Sequence, residues 1–289
     1  MILIDFNQIA IGGLMTQIQR TGDPVDYRLV CHVVFNTIRY YRQKFKDKYG
    51  EVIICCDSRH YWRRDYFPNY KINRKKDRAA SDYDWGEIFS ILNRVKDELK
   101  DNFPYKVLEV YGAEADDIIA IVLRERKEPI SIIISSDKDF IQLHTDSVDQ
   151  FSPVSKRMIN GTDPKKYIRE HIIKGDRSDG VPNILSPDDT FVTEKRQKPI
   201  RKTVIQELVE QMDKSDPLKL HTLIKCPKDT WIRNWQRNET LIDLKKIPDE
   251  LKNDIVMQFD RAVCGKRDKL FNYFVTNKLQ NLMENIGDF

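Results

Sequence analysis

The sequence has no CxxC pair and no histidines at zinc-ligand spacing. Its five cysteines, Cys31, Cys55, Cys56, Cys226 and Cys264, fit reduced thiols in a cytoplasm-like compartment better than a disulfide framework or a thiolate zinc cage. Long apolar runs are also missing. The longest uninterrupted one is IIAIVL, Ile118 to Leu123, and Asp5 interrupts the N-terminus before a signal-peptide stretch forms, so neither membrane spanning nor secretion is expected. No GxGxxG follows a strand-like run, which argues against a dinucleotide-binding oxidoreductase. There is no internal repeat and no long low-complexity tract. Net charge is small as well: 49 Lys+Arg against 45 Asp+Glu leaves +4, so the total by itself does not announce a nucleic-acid partner.

What is present is 289 residues, 40% hydrophobic and 33% charged, the composition of an ordinary globular chain with room for one large domain or two ordinary ones. Short β-branched runs recur with helix-length segments between them: ILI at 2–4, VIICC at 52–56, YKVLEV at 105–110 and SIIIS at 131–135. Continuous hydrophobicity in VIICC and SIIIS predicts strands covered on both faces, as in a mostly parallel sheet with helices on either side. Helix-compatible apolar spacing spans Asp26 to Lys48, Asp84 to Lys100 and Ala115 to Lys127. The expected architecture is an α/β domain over 1–160 and a smaller helical region over 161–289, with a loose insertion at 186–202.

In open α/β sheets the ligand crevice lies at the carboxyl ends of the strands. ILI is followed at once by Asp5, VIICC by Asp57, and SIIISS by Asp137 and Asp139. Glu114, Asp116 and Asp117 open the helix after the third strand, and GDRSD supplies Asp176 and Asp179. Asp137 and Asp139, two apart in an extended segment, point the same way. In a regular helix Glu114 and Asp117 share a face while Glu114 and Asp116 do not, unless Glu114 precedes the helix, so spacing leaves Asp116 and Asp117 as alternatives. Each acid alone fits a turn, an N-cap or a partner of the helix dipole. Together they imply more. Two carboxylates about 4 Å apart repel by roughly 4 kcal/mol at an effective dielectric of 20, so convergence would require cations. Oxygen-only donors suit magnesium or manganese rather than zinc.

Residues 59–78, RHYWRRDYFPNYKINRKKDR, hold eight Lys/Arg and two Asp, a net +6, so the rest of the chain sums to −2. Tyr61, Trp62, Tyr66, Phe67 and Tyr70 supply faces for bases while the cations track phosphates. The competing reading is a solvated helix face anchored by core aromatics. A second basic cluster, Lys195 to Lys202, lacks aromatics and reads equally well as a solvated loop.

The ordered set LIDF (Leu3 to Phe6), CCDS around Asp57, YWRRDYFPNYKINR (Tyr61 to Arg74), EADD (Glu114 to Asp117), SSDKDFIQL (Ser135 to Leu143), KGDRSDGV (Lys174 to Val181) and LIDLKKIP (Leu241 to Pro248) resembles the flap endonuclease or 5′ nuclease family. The resemblance is closest to the T-even phage ribonuclease H branch and covers nearly the whole chain. It implies a 5′ nuclease, PIN-like fold, with 59–83 as a basic arch and 161–289 as a helical duplex-binding region. It also implies a first metal held by Asp5, Asp57, Glu114 and Asp116 and a second held by Asp137, Asp139, Asp176 and Asp179, with Asp137 placed between them. Asp116 and Asp137 would be catalytic with Lys71 and Arg74, which match basic residues contacting the scissile phosphate. Arg63, Arg64, Tyr70, Lys71, Arg74, Lys75 and Lys76 would bind nucleic acid.

The implied activity is a magnesium-dependent 5′ to 3′ exonuclease and flap endonuclease with ribonuclease H activity, using two Mg2+ with Mn2+ as substitute. It would act on RNA:DNA hybrids, flaps and 5′-end duplex DNA to remove lagging-strand primers. The implied setting is a monomer in the cytoplasm, the host's if the chain is phage-encoded. A single-stranded-DNA-binding protein and a sliding clamp are the candidate protein partners. The chain departs from cellular members after the GD motif, where GVPNILSPDD replaces a Gly-rich hairpin that contacts duplex and binds potassium. Two other classes predict different behaviour: a non-catalytic binding protein would bind flaps without cleaving, and a phosphatase with Asp137 as covalent nucleophile would turn over small phosphoesters.

Overall fold

A computed structural model describes residues 1–289 apart from Asp23, Glu194, Arg267 and the side chain of Lys75. The chain forms two compact units, the first made of 1–59, 84–160 and 249–289 and the second of 60–83 and 161–248.

The first unit is built on a six-stranded sheet of β1 (Ile2–Asp5), β2 (Val52–Cys55), β3 (Lys106–Leu108), β4 (Ser131–Ile134), β5 (Val148–Ser152) and β6 (Arg157–Met158), in the order β3-β2-β1-β4-β5-β6. All neighbouring pairs are parallel except β5 with β6. The strands expected at 2–4, 52–56, 105–110 and 131–135 are β1 to β4. The polar sequence VDQFS of β5 gives little hydrophobic signal, and its pairing with β4 is what makes it a strand.

Between the strands run α1 (Phe6–Thr21), α2 (Tyr27–Tyr49), α5 (Trp85–Asn102) and α6 (Ala115–Glu125). Aspartates start three of these helices by accepting early backbone N–H groups: Asp5 from Gln8, Asp26 from Leu29 and Asp84 from Glu87. In the second unit lie α3 (Trp62–Tyr66), α4 (Ile72–Ala79), α7 (Pro164–Lys174), α8 (Lys202–Gln211) and α9 (Lys228–Ile242). The chain then returns to the first unit with α10 (Asp249–Arg261), α11 (Asp268–Thr276) and α12 (Gln280–Met283).

That return departs from the boundary expected at residue 160. Leu270, Tyr273, Phe274, Leu279, Leu282 and Phe289 bury into the same core as Ile4, Phe35, Ile54, Phe103 and Ile134. Phe103 sits at the junction, its ring centroid 4.6 Å from that of Phe35, 5.8 Å from Phe274 and 5.6 Å from Phe289. Amphipathic periodicity reveals that such helices have an apolar face, but not which core that face joins.

The second unit has its own core. Ile172, Ile173, Ile184, Ile205, Leu208, Trp231 and Trp235 form one cluster, and Phe67, Tyr70, Val181, Leu241 and Ile242 form another. The segment 186–202, expected as a loose insertion, is instead pinned. Ser186 and Thr190 are fully buried, Gln197 accepts from Asn183 N at 2.6 Å, and Lys198 N donates to Ser186 Oγ at 2.9 Å. The described cysteines are all free, and no helix among the described residues is long and apolar enough to cross a membrane.

Candidate active site

Strand order reverses at β1: β2 and β3 extend to one side, and β4 pairs on the other. This topological switch is where open α/β sheets bind ligands, beyond the carboxyl ends of the strands. Asp5 ends β1, and one of its oxygens accepts from Ser135 Oγ at 3.0 Å, just past the end of β4. The same Ser135 Oγ accepts from Asp137 N at 3.1 Å, so one hydroxyl ties two predicted acids together. Asp137 in turn accepts from Asp139 N at 2.9 Å and caps the 3-10 helix Lys138–Leu143.

Asp57 follows β2. Its two oxygens accept from Ala115 N at 2.7 Å and Asn7 Nδ2 at 2.6 Å. The first bond places it against the N-terminus of α6, whose positive dipole end favours negative charge. Glu114, immediately before α6, is buried. Asp117 is fully buried and accepts from Glu114 N at 3.0 Å; Asp116 accepts from Asp117 N at 2.8 Å. One carboxylate oxygen from each of Glu114, Asp116 and Asp117 falls within 4.8 Å of the others. Because Glu114 lies in extended backbone before the helix, both later acids reach it. The alternatives left by periodicity thus converge on one place.

Each acid therefore does the ordinary work of a cap, and the caps meet. Burial, reinforced by the charge of Asp57 and more weakly by that of Asp137, pushes the Asp5 carboxyl up to about 7 against the opposing Gln8 and Ser135 hydrogen bonds. A raised carboxyl beside other acids marks a place where a bound cation would be favoured. The donors are all oxygen, so the site fits a hard divalent cation.

Three positions that the sequence reading passes over hold this arrangement. Ser135 is described above, and Asn7 orients Asp57. Gln150 on β5, fully buried, donates its amide to Ser135 O at 2.9 Å and Asp137 O at 2.6 Å. The available signal for Gln150 is a polar residue in a short strand, which becomes meaningful only once β5 is paired.

In the second unit, Asp179 gathers the basic segment. It accepts from Arg74 at 2.7 Å and Tyr70 OH at 2.8 Å, with Lys71 Nζ at 3.4 Å, while its backbone carbonyl accepts from Lys71 N at 2.7 Å. Lys71 has φ 55°, the left-handed region, a strained state for lysine that its surroundings enforce. Gly180 follows at φ 74°, and a Cβ there would lie 2.9 Å from Asn69 O. Asp176 accepts from Ser178 N at 2.7 Å and lies 3.3 Å from His171 Nε2. Burial alone would raise its carboxyl, but the His171 and Ser178 hydrogen bonds prevail and hold it well below the usual range.

Three residues expected on the strand-binding surface are buried, one of them Lys71, 9% exposed with its ammonium toward Asp179. Arg63 is 1% exposed, donates from Nε to Leu241 O at 2.9 Å and lies against Trp62, so it is a core arginine of the second unit. Tyr70 is 2% exposed, its ring in the Phe67 cluster and its hydroxyl on Asp179. A five-residue helix gives too little periodicity to tell its buried face from its open one. Arg64 and Lys76 are exposed, Arg64 over the Tyr61 ring, and Arg74 is partly exposed; the side chain of Lys75 lies outside the described residues.

An all-oxygen acidic centre at the switch point of a parallel sheet is the mark of metal-assisted phosphoester chemistry. Comparison with known proteins makes this specific. The model of the 5'-3' exonuclease N-terminal resolvase-like domain matches residues 6–172, and that of the T4 RNase H C-terminal region matches 163–289. Ribonuclease H of Enterobacteria phage T4 is 32% identical over 297 residues, covering 99% of this chain and 95% of that protein. A 5'-3' exonuclease of Buchnera aphidicola (subsp. Schizaphis graminum) is 32% identical over 145 residues, 46% of this chain and 47% of that one. Among solved structures, a bacteriophage T5 flap endonuclease in a pseudo-enzyme-product complex with DNA and metal ions superposes with TM-score 0.57 at 18% identity, over 90% of this chain and 98% of that one. The chain belongs to the 5'-3' exonuclease family. It is a nuclease with the T4 RNase H type of C-terminal region.

Proposed function

We propose that the protein is a magnesium-dependent 5′ to 3′ exonuclease and flap endonuclease with ribonuclease H activity. It hydrolyses RNA:DNA and DNA duplexes from their 5′ ends and removes lagging-strand RNA primers, working as a monomer in the cytoplasm, the host's if the chain is phage-encoded. The observation that carries this reading is the convergence of strand-end carboxylates at the switch point, in a chain similar over its whole length to a ribonuclease H.

Asp5, Asp57, Glu114 and Asp116 are the proposed ligands of a first ion, and Asp137 and Asp139 contribute to a second. Asp176 and Asp179 complete the second set on the strength of family likeness alone. Bound ions would supply Lewis acidity toward the phosphoryl oxygens and the attacking water, and would neutralise the acids. The residues of the chain do the rest. Ser135, Asn7 and Gln150 fix the carboxylates so that little reorganisation accompanies the reaction. Lys71 and Arg74, preoriented by Asp179, present two cations to a phosphate on which charge develops. In-line attack by water breaks the bond from phosphorus to the 3′ oxygen of the released fragment, which leaves with a 3′ hydroxyl, while the phosphate stays on the 5′ end of the remaining strand. A single-stranded-DNA-binding protein or sliding clamp is the proposed kind of protein partner.

The test uses a 5′-labelled flap duplex and an RNA-primed duplex, with magnesium and with chelator. Short 5′ fragments appear only with magnesium. Asp137→Asn lowers cleavage by about 10²–10³-fold, the scale of removing one preorganised electrostatic group, and leaves flap binding intact. Full activity in that variant would sink the ligand assignment.

A further inference from the structure

The basic cluster around Lys195 lacks aromatics in sequence, but the fold supplies one. In the second unit a cavity of about 880 Å³ is lined by Lys76 from α4, Arg177 from the GDRSD loop, and Phe191, Lys195 and Arg196 from the pinned 186–202 segment, with Asp77 as its one acid among the described lining residues. That volume is within the roughly 300–1,000 Å³ usual for ligand clefts. Among the described residues, Arg177 and Arg196 have no ion-pair partner. Lys195 faces Asp189 at 3.3 Å, both side chains well exposed, an interaction of little worth that a phosphate can displace.

The walls are built rather than draped. Asn69, two residues before Lys71, donates to Asp188 O at 3.1 Å, and Lys195 N donates to Thr190 O at 3.0 Å. Arg237 holds the base of the loop through Asp188 and the Pro182 carbonyl. The cations and Phe191 thus line the cavity from backbone that these hydrogen bonds hold.

We propose that this cavity is a subsite for single-stranded nucleic acid, in which Arg177, Lys195 and Arg196 take successive phosphates and Phe191 stacks an unpaired base. A stacked base within a duplex cannot reach a ring set in a cavity, so the chemistry selects a single strand. The inference rests on the nuclease reading for its biological setting, but its test does not depend on cleavage.

Binding is measured in chelator, as a function of salt, for a duplex with a single-stranded 5′ oligo-dT tail, the same duplex with an abasic tail, and a blunt duplex. The unmodified protein binds the base-containing tail about tenfold more tightly than the abasic one. Phe191→Leu, which keeps the apolar packing, removes that preference, and Phe191→Tyr restores it. Lys195→Gln with Arg196→Gln lowers the logarithmic salt slope by about 1.4, two single-strand phosphates, and leaves blunt-duplex binding unchanged. Thermal melting confirms that each variant is folded. An unaltered salt slope, a preserved base preference in Phe191→Leu, or an equal loss on blunt duplex would overturn the subsite. Displacement of the tail by an acidic peptide as effective as oligo-dT of equal charge would overturn it too, in favour of a protein-binding surface. If the unmodified protein binds tails in this way yet never cleaves them with magnesium, the nuclease reading fails and the subsite stands.

Discussion

The two units treat charge in opposite ways. At the carboxyl edge of the sheet in the first unit, like charges are brought together, and burial with the charges of Asp57 and Asp137 raises Asp5 to about 7. Around the basic segment in the second, opposite charges are matched closely: Asp179 satisfies Tyr70, Lys71 and Arg74, and Arg237 is clasped by Asp188 and backbone carbonyls. The lesson is that the first region is built to receive cations and the second to hold cations in place. Its stability in the first unit comes from an apolar core beneath the acids, and in the second it depends on polar links as well as on packing.

That contrast can be broken from either side. The largest effect is expected from Phe103→Ala, which empties the aromatic junction of the first unit's core and should cost about 3–5 kcal/mol in urea unfolding. Arg237→Ala should cost about 2–3 kcal/mol, because it takes the donor from the fully buried Asn238 Oδ1 and cuts the links to Asp188 and the Pro182 carbonyl. Followed by tryptophan fluorescence of Trp231 and Trp235, its unfolding should fall while far-UV signals of the sheet persist. Gly180→Ala, at φ 74° with Asn69 O in the way, should cost about 1–2 kcal/mol and loosen the Lys71 region.

The subtlest prediction concerns pH. A carboxyl whose folded pKa is raised binds its proton more tightly in the native state, so its contribution to stability is present below about pH 4 and lost as pH rises through about 7. In chelator, Asp5→Asn should therefore flatten the fall in melting temperature over that window, while cleavage with magnesium disappears. An unchanged pH profile would show that the acids are not in conflict.

Much of the acidic centre can be read along the chain because a strand end and the residue after it are neighbours in sequence. Asp5, Asp57 and Asp137 follow from apolar runs that stop abruptly. Ser135, Asn7 and Gln150 do not, because each acts through a partner fixed by sheet register: Gln150 is meaningful only when β5 lies beside β4. In the basic segment, composition marks the cations but not their burial, so Arg63 and Tyr70 read as surface residues although both lie in a core. The strands β1 to β4 and the helices α2, α5 and α6 are legible from periodicity and caps. The assignment of α11 to the sheet's core is not, since it depends on a contact spanning more than half of the chain.

That long-range contact sets an order of assembly during synthesis. The strands carrying the acids leave the ribosome early, but Leu270, Phe274 and Phe289, which join the core under them, leave only after the whole second unit. At roughly 5–20 residues per second, the intervening second unit has several seconds to fold while the sheet is still open on one side. The acids are thus made early and their supporting core is completed late, so a chain halted within the second unit lacks the full support of its acidic centre.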